Sequence, residues 1–164
     1  MTPSQHSDTT PDGDWFTIRQ VTHADLPDVV NLDARVTGMQ KQDYWDDIYV
    51  RFVERGNDKR FFLVAQANDA ADNPALLGFV VGEVRAWEFG SAPCGWITGI
   101  SVDPDSRLHA VGEFLFRSIS EKFEAIGITT MRTMVGRSNH LLMAFFRSEG
   151  MMAGPYLQLE KELG

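Results

Sequence analysis

The apolar pattern changes period several times along the chain, and each change marks an expected element. Residues Trp15 to Val21 alternate like a half-buried strand, and Thr22-His-Ala-Asp25 has the Thr-x-x-acid outline of a helix start. Leu26, Val29, Val30 and Val36 then recur at helical spacing up to Gly38, with Pro27 early enough to sit in a first turn. Tyr44, Trp45, Ile48, Tyr49, Phe52 and Val53 predict a second helix from Gln42 to Glu54, whose broad aromatic face belongs in a core. Its acidic flank of Asp43, Asp46 and Asp47 reads as a solvated surface or as a place to meet a cation.

Strand-like runs follow from Arg60 to Gln66, Leu76 to Trp87 and Gly95 to Val102, with turn-rich breaks between them. Short connections between three successive strands predict an antiparallel meander. Val111, Phe114, Leu115, Ile119, Phe123 and Ile126 predict a helix that ends at Gly127. A strand from Ile128 to Val135 would then run parallel to its predecessor, because a helix carries the connection. A last helix from Asn139 to Glu149 stops at Gly150, and Pro155 to Glu160 alternates like a closing strand. The order β-α-α-β-β-β-α-β-α-β predicts an α/β (α+β) fold, a mixed central sheet with helices on its faces.

A length of 164 residues suits one domain, expected over 15–164, while the polar start 1–14 with Pro3, Pro11 and Gly13 reads as a disordered tail. An apolar share of 43% removes global disorder and fibrous classes from consideration. Cys94 has no cysteine to pair with in the chain, no apolar run approaches the roughly 20 residues of a membrane span, and the start lacks a signal-peptide pattern. These features point to the cytoplasm, with no membrane partner. A net charge of −8 disfavours nucleic acid and anionic lipid; it accommodates an amine-bearing partner more readily, or serves solubility alone.

The segment Val102-Asp-Pro-Asp-Ser-Arg-Leu-His-Ala-Val-Gly112-Glu113 runs from a strand through a turn into a helix. Backbone N–H groups in a first helical turn lack intrahelical partners, so this geometry favours an anion. Arg107 can add charge-assisted hydrogen bonds, and Ala110 and Gly112 are small enough for close approach of a phosphate. The spacing R-x-x-A-x-G also arises by chance at ordinary helix starts.

Taken with Ser101-Val-Asp-Pro104, the Asn139-His-Leu-Leu-Met-Ala-Phe-Phe-Arg-Ser-Glu-Gly150 segment and the element order, this motif resembles the GNAT N-acetyltransferase superfamily from about Phe16 to Leu163. The resemblance implies an acyl-CoA site between two parallel strands that splay apart, here those ending at Val102 and spanning Ile128 to Val135. It places Ile100, Ser101 and Val102 along the pantetheine arm, and Arg107, Leu108, His109, Ala110, Val111, Gly112 and Glu113 around the pyrophosphate. Asn139 matches the family residue that approaches the pantetheine arm, although its plainer role is a helix cap. Phe146 stands where many members carry a Tyr close to the cofactor sulfur. The implied co-substrate is acetyl-CoA, with no metal.

The implied reaction is direct attack of a neutral amine on the thioester, which needs a base or a water relay to remove a proton first. Backbone N–H groups near Val102 are placed for the oxyanion. Glu83 is the first candidate base, its plain alternative being a salt-bridged surface Glu, and Glu88 is a weaker one. His109, His140 and Tyr156 are further polar candidates with equally ordinary structural readings. Phe146 has no hydroxyl, so water, another Tyr or a thiolate stabilised without proton transfer must serve the leaving group. The expected acceptor is a protein or peptide amine. A polyamine, an aminoglycoside, or a catalytically weak acyl-CoA-sensing module are the alternatives, and the chain is expected as a monomer or homodimer.

Overall fold

Five strands lie side by side in the order in which they occur in the chain: β1 (Phe16–Gln20), β2 (Arg60–Ala67), β3 (Leu76–Arg85), β4 (Cys94–Val102) and β5 (Met131–Thr133). The computed structural model describes residues 15–69, 72–104 and 109–164, with the side chain of residue 109 left aside. The proposed tail over 1–14 lies outside the described residues. Contacts divide the chain into two units, 1–133 and 134–164.

The first three pairings are antiparallel and β4–β5 is parallel, as the connection lengths require. Helices α1 (Leu26–Thr37) and α2 (Gln42–Tyr49) belong to one face of the sheet. Trp45 of α2 meets Phe79 edge-on, with ring centroids 4.9 Å apart, and lies 5.7 Å from Phe62. Asp33 of α1 joins the two helices: its buried carboxylate accepts the Trp45 indole N–H at 2.9 Å and pairs with Lys41 at 2.9 Å. Gly38 ends α1 in the left-handed region, φ +76°, where a residue without Cβ is unstrained.

Helix α3 (His109–Ala125) covers the other face, and three glycines decide how closely it sits. A Cβ at Gly78 would lie 3.0 Å from Leu115, one at Gly82 would lie 2.7 Å from Ile119, and one at Gly95 would lie 2.7 Å from the Phe123 ring. Leu115, Ile119 and Phe123 are all buried. The sheet is therefore shaved along this line, and the large apolar residues of α3 fill the space.

At the β1–α1 junction the Thr-x-x-acid outline is realised. Asp25 closes a 3-10 turn (His23–Asp25), accepts Thr22 N–H at 2.7 Å and the Thr22 hydroxyl at 3.0 Å, and takes both forks of Arg19 at 2.7 and 2.8 Å. Burial alone would push the Asp25 carboxyl upward; the Arg19 guanidinium and the Thr22 donors outweigh it, and the carboxyl sits below its usual range.

Several expectations need correction. The second helix is α-helical only to Tyr49, and Val50–Glu54 continues as a π-helical turn, with Arg55 N–H donating to Val50 O at 2.8 Å. The third strand stops at Arg85, short of Trp87, where backbone with φ near +65° cannot extend a ladder. The strand expected over Ile128 to Val135 is confined to Met131–Thr133. No strand forms from Pro155 to Glu160, where Leu157 and Leu159 are 86% and 90% exposed. Alternation marks a segment able to be a strand, but a strand forms only where a neighbour completes its hydrogen bonds.

In unit 134–164, α4 (His140–Ser148) starts at Asn139, whose Oδ1 accepts Leu142 N–H at 3.1 Å. This is an N-cap of the ordinary kind. Gly150, φ +89°, follows its end.

Candidate active site

The ladder between β4 and β5 holds for three residues, Gly95 with Met131, Trp96 with Arg132 and Ile97 with Thr133, and then stops while β4 continues to Val102. The Thr133 hydroxyl donates to Ile97 O at 2.9 Å at that last rung. On the other side of β4 the register against β3 slips between Ile97 and Gly99, so Thr98 is a bulge opposite no residue. Beyond it, Gly99 to Val102 keep their β3 partners but have no β5 partner among the described residues. One edge of β4 is thus left with backbone donors and acceptors for an extended guest.

Downstream of this open edge comes the start of α3. Ala110, Val111, Gly112 and Glu113 occupy its first turns; Val111 is fully buried and Glu113 is exposed. The amides of a first helical turn lack intrahelical partners, which favours an anion. Arg107 and Leu108 lie outside the described residues, and His109 is described only as the first residue of the helix. Where β4 ends, Asp103 is held from α1 by the Arg35 fork, at 2.7 and 3.4 Å.

On the α1/α2 face a polar row crosses four strands next to the bulge: Arg60, Glu83, Trp96 and Arg132 are successive register partners on β2, β3, β4 and β5. Partners in register project to the same face. Glu83 lies between two guanidiniums, with Oε2 3.4 Å from Arg60 Nε and Oε1 3.4 Å from Arg85 Nε. Arg85 stacks over the Trp96 ring, 5.3 Å from its centroid. Arg132 donates to the Ser91 hydroxyl at 2.7 Å and lies 3.6 Å from Cys94 Sγ.

The candidates proposed from sequence separate in the folded chain. Glu83 is on the face and at the height of the bulge, while Ile100, Ser101 and Val102 form the open edge. Glu88 belongs instead to an exposed turn, Glu88–Gly90, flanked by Trp87 at φ +65° and Phe89 at φ +56°. Cys94 is buried beside Ser91 and Arg132 and touches no His among the described residues, so they supply no nucleophilic dyad. Asp46 and Asp47 on α2 are engaged locally, by Gln42 at 2.9 Å and Arg51 at 2.8 Å. Asn139 spends Oδ1 on its cap, Phe146 is buried against Phe145 with ring centroids 5.4 Å apart, and Tyr156 is half-exposed. Arg60, Arg85 and Arg132 were not singled out from sequence as site residues. Charged residues inside otherwise apolar strands were the available signal.

Comparison with known proteins agrees with this fold. The profile described as "Acetyltransferase (GNAT) family" matches residues 26–151. Among solved structures, an aminoglycoside N-acetyltransferase in complex with CoA superimposes with a TM-score of 0.74 at 16% identity, covering 94% of this chain and 99% of that one. An aminoglycoside 6'-N-acetyltransferase from Acinetobacter baumannii gives 0.71 at 14% identity, over 91% and 99% of the two chains. A possible acetyltransferase from Clostridium difficile 630 gives 0.70 at 19% identity, over 92% and 99%. No curated protein sequence matches the chain. With a family profile spanning most of its length, the chain belongs to the GNAT family and is an acyl-CoA-dependent N-acetyltransferase.

Proposed function

We propose that the protein transfers the acetyl group of acetyl-CoA to a small primary amine, which approaches along the Arg60–Glu83–Trp96–Arg132 row. The observation that carries this reading is the end of the β4–β5 ladder at Ile97 and Thr133, with β4 continuing to Val102. Backbone groups of Gly99 to Val102 pair with the pantetheine arm as an added strand would, and the amides at the start of α3 receive the pyrophosphate. Ala110 and Gly112 keep that turn uncrowded, and Arg107 adds a phosphate partner.

An alkyl ammonium must lose a proton before it attacks. Glu83 accepts that proton, directly or through a water, and passes it to solvent. Nitrogen then bonds to the thioester carbon, and backbone N–H at the bulge stabilises the oxyanion. Collapse breaks the C–S bond, and the second amine proton reaches the thiolate through solvent, since Phe146 has none to give. The small-amine reading departs from the protein amine expected from sequence. It is supported by neighbours of the same fold described as aminoglycoside acetyltransferases.

The test is thiol release from acetyl-CoA, with mass spectrometry of the products, across polyamines, aminoglycosides, amino acids and peptides. A monoacetylated small amine is expected. Acetylation of peptides alone would overturn the acceptor, and acetyl-CoA binding without any turnover would favour the sensing module.

A further inference from the structure

The polar row has a charge opposite to that of the molecule. Arg60 and Arg85 meet a single carboxylate, Glu83, and Arg132 stands two strands away in the same row, on one face of a chain whose net charge is −8. A polycationic acceptor would have to bring its charges against three guanidiniums. Two of these are committed elsewhere: Arg60 donates to Arg51 O at 3.1 Å and lies over Phe52, and Arg132 is bonded to Ser91. Arg85 is different. Its Nε faces Glu83, its side chain is 36% exposed, and its two Nη groups have no acceptor among the described residues.

The guanidinium carbon of Arg85 lies over the Trp96 ring, 5.3 Å from its centroid, which holds the group beside the row with its Nη donors available. A guanidinium edge presents parallel N–H donors that match a carboxylate. Trp96 is two residues from the bulge at Thr98, about 7 Å along a strand. Arg85 Nε lies 3.4 Å from Glu83 Oε1, so a group held on the guanidinium edge stands close to the carboxylate that meets the amine. That spacing suits an amine with a carboxylate close by.

We infer that Arg85, held over Trp96, is a specificity determinant that binds a carboxylate on the acceptor, so that the preferred small amine is of the amino-acid class. This rests on the small-amine reading above. Glu83 then meets the ammonium end while Arg85 meets the carboxylate, and the acceptor is aligned by charges at both ends.

Matched pairs that differ only in the carboxylate test it: lysine and cadaverine, phenylalanine and phenethylamine, tryptophan and tryptamine. The amino acid of at least one pair should show kcat/KM about 10-fold or more above its decarboxylated partner, the range of a charge-assisted contact. In Arg85→Gln that ratio should fall toward one through a higher KM for the amino acid, and Arg85→Lys should restore part of it; thermal midpoints check that both variants fold. Preference for the decarboxylated amines, or a ratio unmoved by Arg85→Gln, overturns the inference and leaves the small-amine reading standing. Failure to acetylate either member of any pair, with polyamines or aminoglycosides acetylated, does the same. Acetylation of peptides alone removes both.

Discussion

Substituting Gly82 by Ala tests how α3 is seated on the sheet behind the candidate site. The added Cβ would stand 2.7 Å from Ile119 Cδ1, 2.8 Å from Trp96 O and 3.1 Å from Phe123 Cζ. Ile119 and Phe123 are buried with at most 1% exposure, and the Trp96 carbonyl belongs to a backbone flanked by the bulge, so none of the three has open space to retreat into. Overpacking of this kind costs about 1–3 kcal/mol, and the smaller chain entropy of unfolded Ala returns about 0.4–1 kcal/mol. A net loss of about 1–2 kcal/mol is expected, or about 2–8 °C in the thermal midpoint for a chain of this size. Urea unfolding of Gly82→Ala, Ile119→Val and the double variant measures it. Removing Ile119 Cδ1 should relieve the closest side-chain contact, so the double variant should be more stable than additivity allows by about 0.5–1 kcal/mol. A Gly82→Ala protein as stable as the parent, with additive effects in the double variant, would refute this seating of α3.

Glu83→Gln should lower kcat by about 100-fold with an unchanged dissociation constant for acetyl-CoA, because the proton acceptor is lost and the thioester site is not; turnover within about twofold of the parent would remove Glu83 from the reaction. Asp25→Asn should cost about 1–3 kcal/mol at pH 7, where the parent carboxylate holds the Arg19 fork and two Thr22 donors. Because the folded Asp25 carboxyl is held below its unfolded value near ~3.9, its contribution is complete above that pH and is lost as pH falls through the folded value. Urea midpoints at pH 7 and pH 3 should therefore show the gap between parent and variant narrowing, and an equal gap at both would contradict the assignment.

Local pattern carried much of the fold. The three-strand meander, the parallel return through α3, and the capped start and end of α4 depend on periodicity, turn residues and connection length, all of which are written in neighbouring residues. The limits of β5 and the fate of 155–160 depend on whether a neighbouring strand is present, which alternation does not record. The π-helical turn after Tyr49 continues the same apolar face with a changed hydrogen-bond step, so its residues keep a helical pattern. At the site, the open edge of β4 was implied by the family resemblance, which the segments around Ser101, Arg107 and Asn139 carry together with the element order. The row of Arg60, Glu83, Trp96 and Arg132 did not, because its members come from four strands and meet only once register is set.

The central claim, that the thioester lies along the open edge of β4 and ends on the first turn of α3, has a direct measurement. Amide hydrogen exchange read by mass spectrometry, with and without acetyl-CoA, should show slower exchange in peptides covering residues 99–113 and no change in those covering β1. Acetyl-CoA binding that leaves 99–113 unprotected, or protects another strand instead, would contradict the claim.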